Sequence, residues 1–223
     1  NPSSAQDSEG LIYFAAEEDG DDFDLELWRT DGTAAGTTKV VEVNPDGRSF
    51  PRGFTEINGT TYFSAVREIS RQLWKTDGTV GGTVPIIDPW PEDLSVRGGG
   101  FSSMTSLRDY LLLSMDDSVH GEELWISDGT ATGTMLVQDI NPGFGNARLL
   151  FLATLGNEMI FAADNGSQGR ELWATDGTAG GTRLIVDINA GAADGLFSSV
   201  SERFGSEIYF FADGGSNGRE LWK

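Results

Sequence analysis

The chain has 223 residues, of which 38% are hydrophobic, so it is long enough to bury a sizeable apolar core. Its 35 acidic and 15 basic side chains give a net charge of −20, which repels phosphate backbones and anionic lipid surfaces at long range. We therefore expect no nucleic-acid partner. Direct membrane insertion is excluded because no apolar run approaches the roughly 18 residues that a membrane helix needs. The chain has no cysteine, which excludes disulfides, thiolate metal sites and cysteine nucleophiles.

One unit is repeated along almost the whole chain, and a Leu-Trp pair marks each copy. The tryptophans of the five pairs are 46, 51, 48 and 49 residues apart, a period typical of propellers, solenoids and repeat arrays. A large ring at one fixed place in every copy is suited to wedge between neighbouring sheets, so we interpret all five as structural. These residues are Trp28, Trp74, Trp125, Trp173 and Trp222.

Each copy predicts four antiparallel strands, named A to D in chain order. In the third copy they are expected at about 103–107, 110–115, 122–127 and 134–140. Strand B is the most apolar segment, and the stretch from C to D has a constant length, as in a hairpin with a fixed turn. The predicted repeats are about 11–52, 53–98, 99–146, 147–195 and 196–223, all within one domain over residues 1–223.

Four strands in about 48 residues match one blade of a β-propeller. The sequence therefore predicts an all-β fold of four-stranded antiparallel blades. Five B and C strands but four A and D strands can be assigned. We prefer five blades with incomplete first and last blades that meet to close the ring, and the runner-up is four blades plus an extra hairpin.

The first four copies continue from the tryptophan to an Asp-Gly-Thr, and a Gly-Thr begins five residues after the aspartate. A turn carboxylate commonly accepts backbone N–H bonds from the loop that follows, so we favour a structural role. The alternative is a cation held with a later acid, but calcium requires six to eight oxygens. The aspartates are Asp31, Asp77, Asp128 and Asp176, and the later acids are Glu42, Asp88, Asp139 and Asp187.

Written as Glu-Leu-Trp-x-x-Asp-Gly-Thr, the block resembles the repeat of the ELWxxDGT-repeat family of bacterial exported and surface proteins. It is complete at 26–33, 123–130 and 171–178, whereas the second copy has Gln72 in place of the glutamate and the fifth stops at Lys223. The resemblance implies a propeller-like fold and an exported location, extracellular or at the cell surface, with the periplasm or an organelle lumen as alternatives. It implies no particular catalytic activity.

Two similar polar B–C loops, at 164–170 and 213–219, are candidates for hydrogen-bonding a ligand such as a sugar, although a plain hairpin connection is the favoured interpretation. Trp90, between two prolines, is the one tryptophan outside the repeat; either it offers an aromatic face to a sugar or a protein, or it caps the propeller end. The candidate ligand-binding residues are Trp90, Asp164, Asn165, Arg170, Asp213, Asn217 and Arg219.

The first B–C loop is longer and densely acidic, and its carboxylates at Asp19, Asp21 and Asp24 are a candidate calcium site. A solvated acidic loop is the simpler interpretation. Calcium is the one cofactor that the sequence suggests. His120, the single histidine, has no second histidine or cysteine to share a metal and carries no assigned role.

Acids that recur at equivalent positions favour a scaffold over specialised chemistry. We therefore expect no enzyme activity and no catalytic residues. The predicted function is that of an exported binding or structural module that contacts a protein or a glycan through blade loops. The alternatives are a propeller glycoside hydrolase and a calcium-dependent adhesin.

Overall fold

The computed structural model describes residues 5–8, 10–18, 25–68, 70–87, 101–216 and 218–223. All regular secondary structure in these ranges is β-strand, with nineteen strands in five antiparallel sheets. Nowhere in the described ranges is there a helix with the length and apolarity needed to cross a membrane.

The sheets follow one another along the chain, and each contains sequential strands that pair in chain order. The first sheet contains β1 (Ala5–Ser8), β2 (Leu11–Glu17), β3 (Leu25–Thr30) and β4 (Thr38–Val41). The second contains β5 (Arg52–Ile57), β6 (Thr60–Arg67), β7 (Ser70–Thr76) and β8 (Val84–Ile87). The third contains β9 (Phe101–Leu107), β10 (Tyr110–Asp116), β11 (Glu122–Ser127) and β12 (Met135–Gln138). The fourth contains β13 (Leu150–Leu155), β14 (Glu158–Asp164), β15 (Arg170–Thr175) and β16 (Arg183–Val186). The fifth contains β17 (Ser201–Phe204), β18 (Glu207–Asp213) and β19 (Arg219–Trp222).

Five sheets of this kind confirm the preferred prediction of five blades, with one correction. The first blade was expected to lack strand A, and this is wrong because β1 pairs with β2 from Ala5 opposite Phe14 to Ser8 opposite Leu11. The sequence Ala-Gln-Asp-Ser carries no apolar alternation, so β1 is recognisable only by its backbone pairing. The fifth sheet is the incomplete one, with three strands among the described residues.

The chain divides into two compact units, residues 1–101 with 128–133 and residues 102–127 with 134–223. In the first unit, the first and second sheets share one apolar cluster. Leu27 of the first sheet lies in this cluster together with Phe63 and Trp74 of the second, and these two rings stack with centroids 6.3 Å apart.

The second unit repeats this packing twice. One cluster joins Leu124 of the third sheet to Phe161 and Trp173 of the fourth. The next cluster joins Leu172 of the fourth sheet to Phe210 of the fifth, with Trp222 packed against it. Adjacent residues of a strand point to opposite faces, so each Leu-Trp pair gives its sheet a leucine face and a tryptophan face. Within each unit, the leucine face of one sheet packs on the tryptophan face of the next.

The Asp-Gly-Thr turn is a closed network of side-chain hydrogen bonds. In the second sheet, Asp77 Oδ1 accepts the backbone N–H of Thr79 at 2.9 Å and its hydroxyl at 2.7 Å. The Thr79 hydroxyl oxygen in turn accepts the N–H of Gly82 at 3.0 Å. Hydroxyls of Thr76 and Thr83 meet at 2.7 Å across the base of the hairpin. The equivalent turns begin at Asp31, Asp128 and Asp176.

The five-residue spacing from this aspartate to the next glycine has a steric cause. A Cβ on Gly82 would lie on top of the Asp77 carboxylate. The same clash would arise at the three equivalent glycines, each with its own aspartate. They are Gly36, Gly133 and Gly181. The turn therefore requires both the aspartate carboxylate and a glycine, with no Cβ, five residues later.

Replacing Gly82 by alanine should displace the Asp77 carboxylate from Thr79 and lower the free energy of unfolding by about 2 kcal/mol. The matched control is Gly81→Ala, because a Cβ there meets no atom within 4 Å and Gly81 is not among the residues with positive φ. Urea unfolding followed by tryptophan fluorescence measures both. Equal effects of the two substitutions would contradict this account of the spacing.

Candidate functional site: the loop end of the sheets

The glutamate of the repeated block, two residues before the tryptophan, is enclosed in the protein. Glu26, Glu123 and Glu171 are each 0% exposed. Their carboxylates bind backbone N–H groups of the connection between strand D and the next strand A, the D–A loop. For Glu171 the donors are Ile188 at 2.6 Å and Gly195 at 2.8 Å. Because these bonds take the chain away from the sheet, the D strands are shorter than predicted, as for β12 at Met135–Gln138.

The D–A loop held by this glutamate also joins neighbouring sheets. Gly195 donates its N–H to the carbonyl of Arg170, at the start of β15, at 3.0 Å, and its own carbonyl accepts the N–H of Asp213, at the end of β18, at 2.9 Å. Ser49 and Ala147 make the same pair of backbone bonds in their own units. Glu26 and Glu171 thus bind the loop residue, Ser49 or Gly195, that bridges two consecutive blades.

Burial makes these carboxyls weaker acids than an ordinary glutamate. Desolvation raises the pKa of Glu26 and Glu123 to about 7, and raises the pKa of Glu171, against the opposing effect of the backbone N–H bonds. Carboxyls with a pKa near 7 are common among catalytic acids, but a group with no exposed surface cannot reach a substrate. No role was predicted for these glutamates, although their position in the repeated block was a usable signal.

The Glu26 and Glu123 carboxylates differ in how many of their oxygens accept hydrogen bonds, and substitution by glutamine tests this difference. Glu26 accepts the Val43 N–H at 2.7 Å and the Ser49 hydroxyl at 2.8 Å through Oε2 alone, whereas Glu123 uses Oε2 for Ile140 and Oε1 for Asn141. A glutamine side chain retains a single acceptor oxygen. We expect Glu26→Gln to fold with little loss, and Glu123→Gln to lower the free energy of unfolding by about 1–3 kcal/mol because one buried N–H faces an amide group.

The pH dependence of stability provides a second test of the role of Glu26. A carboxyl whose pKa is about 7 when folded and 4.5 when unfolded binds its proton more tightly in the folded state, so its contribution to stability falls as pH rises from about 4.5 to about 7. Urea unfolding at several pH values should show that the free energy of unfolding of Glu26→Gln falls less steeply with pH over this range than that of the wild type. A wild-type slope retained in Glu26→Gln would refute the assignment.

The B–C and D–A loops of the second unit meet at one end of its sheets. A Cβ on Gly166 would lie 2.5 Å from Asn141 Oδ1, and a Cβ on Gly215 would lie 2.7 Å from Asn189 Oδ1, so each B–C loop lies on the D–A loop of the preceding sheet. We call this surface the loop rim. It comprises residues 116–121, 141–149, 164–170, 189–198, 213–216, 218 and 219.

The predicted ligand-binding residues of the fourth sheet lie in the loop rim, but their polar atoms are engaged within the loop. Asp164 Oδ1 accepts the N–H of Gly166 at 2.8 Å. Asn165 Oδ1 accepts N–H groups from Ser167 at 3.1 Å and Gln168 at 3.0 Å. These bonds are those of a self-contained polar turn.

Arg170 takes part in an ionic cluster that was not predicted from the sequence. Arg148 binds Asp194 through two hydrogen bonds of 3.0 and 2.7 Å, and the backbone N–H of Arg170 donates to Asp194 Oδ1 at 3.0 Å. Arg148 also reaches Asp164 at 3.2 Å. Arg148 and Asp194 are one repeat apart in the chain and belong to no repeated motif, so no sequence signal pointed to the pair.

In the fifth sheet, Asp213 Oδ1 accepts the N–H of Gly215 at 2.8 Å, as Asp164 does in the fourth. The Arg219 guanidinium lies over the Phe197 ring, 5.0 Å from its centroid. Five of the predicted site residues lie outside the described residues, and their roles stay predictions. They are Asp19, Asp21, Asp24, Trp90 and Asn217.

Besides Phe197, which lies under Arg219, two apolar side chains are exposed in the loop rim among these self-bonded polar groups. Phe144 is 84% exposed and Val119 is 58% exposed. Phe144 was not among the predicted site residues. Its position between Gly143 and Gly145 was the available signal.

His120 is bound to a carboxylate of its own loop, with Nδ1 2.8 Å from Asp117 Oδ2. This hydrogen bond raises the pKa of His120, and the charge of Asp139 adds to the effect. In the part of the chain that the structure describes, no three acidic or histidine side chains converge in a way that suits a metal ion.

Because His120 is the single histidine, its imidazole signals can be followed by NMR without assignment ambiguity. We expect its pKa to lie above 6.5 and to fall towards that value in Asp117→Asn, whereas the control Asp116→Asn leaves it nearly unchanged. The raised pKa means that the ion pair stabilises the fold at low pH and that this contribution is lost as pH rises through the folded pKa. A His120 pKa unaffected by Asp117→Asn would contradict the assignment.

Neither a protein-family model nor a curated protein matches the chain. Solved structures do match. Puromycin hydrolase is similar with a TM-score of 0.60 and 14% identity, over 97% of this chain and 35% of that chain. A prolyl endopeptidase gives a TM-score of 0.57 and 12% identity, over 96% of this chain and 31% of the other. TolB from Acinetobacter baumannii gives 0.52 and 9%, over 95% of this chain and 51% of the other.

Likeness at this level of identity shows the fold and no activity. The chain is a β-propeller, similar to the propellers of prolyl oligopeptidase-family peptidases and of TolB. It spans about a third of the length of the two enzymes and about half of TolB. The resemblance to the ELWxxDGT-repeat family stays a prediction, carried by the motif alone.

Proposed function

We propose that this protein is a non-catalytic, exported propeller module that binds a protein or a glycan through the loop rim. The observation that carries the proposal is the use of its acidic groups. The carboxyls with a pKa near 7 are enclosed and bound to backbone N–H groups, and the Asp-Gly-Thr carboxylates each hold a turn. Acids committed in this way stabilise the scaffold, which favours binding over catalysis.

The loop rim has the mixed character of a contact surface. Phe144 and Val119 offer apolar area, and Arg219 stacked on Phe197 offers a flat cationic and aromatic surface. Aromatic side chains and arginine are enriched at protein interfaces, and an exposed ring also stacks on sugar faces. The turns beneath are rigid because Asp164 and Asn165 are hydrogen-bonded within them, which lowers the entropic cost of binding.

Export is proposed on two grounds. The repeated block resembles that of exported and surface proteins, and the net charge of −20 with a pI near 4.2 suits an extracellular environment. Comparing the culture medium, the envelope and the cell interior of an expressing bacterium, with the complete natural coding sequence, tests this part of the proposal. Retention of all the protein in the interior would overturn it.

A glycan array probed with and without calcium tests the binding role. The expected result is retention of a defined glycan class, reduced about tenfold or more in affinity by Phe144→Ser, because an exposed ring at the centre of a contact carries a large share of its binding energy. The matched control is Val80→Ser, an exposed apolar residue of an Asp-Gly-Thr turn. A protein pull-down with the same two variants covers the protein-ligand case.

Three outcomes bear directly on the alternatives. Binding that disappears with a calcium chelator would favour the calcium-dependent adhesin. Hydrolysis of arrayed glycans would overturn the non-catalytic proposal. Glycan or protein binding that Phe144→Ser and Val80→Ser leave equally intact would place the contact elsewhere than the loop rim.

A further inference from the structure

Each D–A loop within the described residues carries one phenylalanine that reaches the surface. Phe50 follows the first sheet, Phe144 the third and Phe197 the fourth. Phe50 and Phe197 are each 43% exposed, whereas Phe144 is 84% exposed. The Phe144 side chain, inside the loop rim, is therefore the least covered of the three.

An arginine of the chain lies over each of the other two rings. The guanidinium carbon of Arg48 is 6.0 Å from the centroid of Phe50, and that of Arg219 is 5.0 Å from the centroid of Phe197. A cation over the face of an aromatic ring is attracted by the ring quadrupole. Among the described residues, no arginine or lysine lies in this position over Phe144. Phe144 therefore lacks the cationic cover that its two counterparts have.

The arginine nearest to Phe144 in the sequence is engaged elsewhere. Arg148 binds both carboxylate oxygens of Asp194 and also reaches Asp164. The hydrogen bonds to Asp194 and then to Asp164 raise the pKa of Arg148. Its charge is therefore balanced by these two carboxylates, and it does not serve as a cation for Phe144.

The loop of Phe144 lies against the B–C loop of the same sheet. The Glu122 N–H donates to Asn146 Oδ1 at 2.9 Å. A Cβ on Gly121 would clash with the Gly145 carbonyl, so the two backbones are in contact there. The two loops therefore form one surface, and this surface carries the exposed ring.

This surface is acidic. Residues 116–122 and 139–147 contain no lysine or arginine, and their one base, His120, is paired with a carboxylate. Their acidic side chains outside the core are Asp116, Asp117, Glu122 and Asp139. The potential around Phe144 is therefore negative, as is the net charge of −20 of the whole chain, and both attract a positively charged partner at long range.

Hydrogen-bonding groups beside the ring are used within the protein. The Asn141 amide donates to the Asn146 carbonyl at 3.0 Å, and Asn146 Oδ1 accepts the Glu122 N–H. In the neighbouring B–C loop, Asn165 Oδ1 accepts the N–H of Gln168. A glycan needs polar partners for its hydroxyls as well as a ring to stack on, whereas a cationic side chain needs the ring and a negative potential. The surface thus favours a protein partner over a glycan.

We infer that Phe144 receives an arginine from a positively charged segment of a partner protein, which stacks on the ring as Arg219 stacks on Phe197. A planar guanidinium suits a single flat ring, and arginine is enriched at protein interfaces. This inference rests on the proposed binding role of the loop rim and adds the class of its partner.

A library of random peptides displayed on phage, selected against the immobilised full chain, tests the inference. The expected result is enrichment of positively charged peptides that share an arginine. Synthetic copies of these peptides should bind less tightly as salt rises, because salt screens the attraction between opposite charges. Their affinity should fall about tenfold or more in Phe144→Ser. The control Val80→Ser, which leaves the charge and the loop rim unchanged, should bind them as the wild type does.

A second pair of variants separates the ring from its apolar area. Phe144→Leu keeps an apolar side chain but removes the quadrupole, so we expect it to weaken binding of the selected peptides by about two- to fivefold. Phe144→Trp should bind at least as tightly as the wild type, because indole is the best ring for a cation. Both changes fall on an exposed side chain and leave the core intact.

The outcomes distinguish this inference from the proposed function on which it rests. Enrichment of acidic or uncharged peptides, no enrichment at all, or peptide affinity that Phe144→Leu leaves unchanged would overturn the inference. Glycan retention that Phe144→Ser abolishes, with no arginine peptide enriched, would refute the cationic partner and leave the loop rim as a binding surface. Failure of both the peptide library and the glycan array, together with an empty protein pull-down, would overturn both.

Discussion

The buried glutamate two residues before the tryptophan in three of the five repeats, Glu26, Glu123 and Glu171, is the interaction on which the arrangement of these blades depends. A carboxylate with no exposed surface is costly, and it is retained here because it supplies strong acceptors for N–H groups of a loop that has no sheet partner. That loop then lends its own N–H and carbonyl to two successive sheets. In these three repeats, one side chain thus holds the irregular connection that links two blades. The apolar packing of leucine faces on tryptophan faces adds buried apolar area within each unit.

Most of the architecture could be predicted from the sequence because a repeat shows its construction several times. The hairpin around the Asp-Gly-Thr was readable since its length never varies, and Glu122–Ser127 was placed without error. The first strand escaped because Ala5–Ser8 is polar and depends on backbone pairing alone. Strand D was placed too long in the third copy, since the residues after Gln138 are hydrogen-bonded to Glu123 instead of to the sheet.

The candidate site was less predictable, for physical reasons. Polar loops such as that of Asp164 and Asn165 look like ligand contacts in sequence, because the residues that close a tight turn are also those that bind sugars. The structure shows their oxygens already occupied by backbone N–H groups. The pairing of Arg148 with Asp194 depends on the packing of two blades and leaves no local pattern. Phe144, by contrast, could have been chosen, since an aromatic ring between two glycines contributes nothing to a turn.

The two ends of each sheet differ in what changes of length they accept. At the Asp-Gly-Thr end, carboxylate, hydroxyl and bare glycine interlock over six residues, so an inserted residue would separate Asp77 from Gly82 and open the hairpin. At the opposite end, the B–C connections already occur in several lengths on an unchanged framework. A peptide epitope, a tag or a new recognition segment is accordingly better grafted into a B–C connection than into an Asp-Gly-Thr turn.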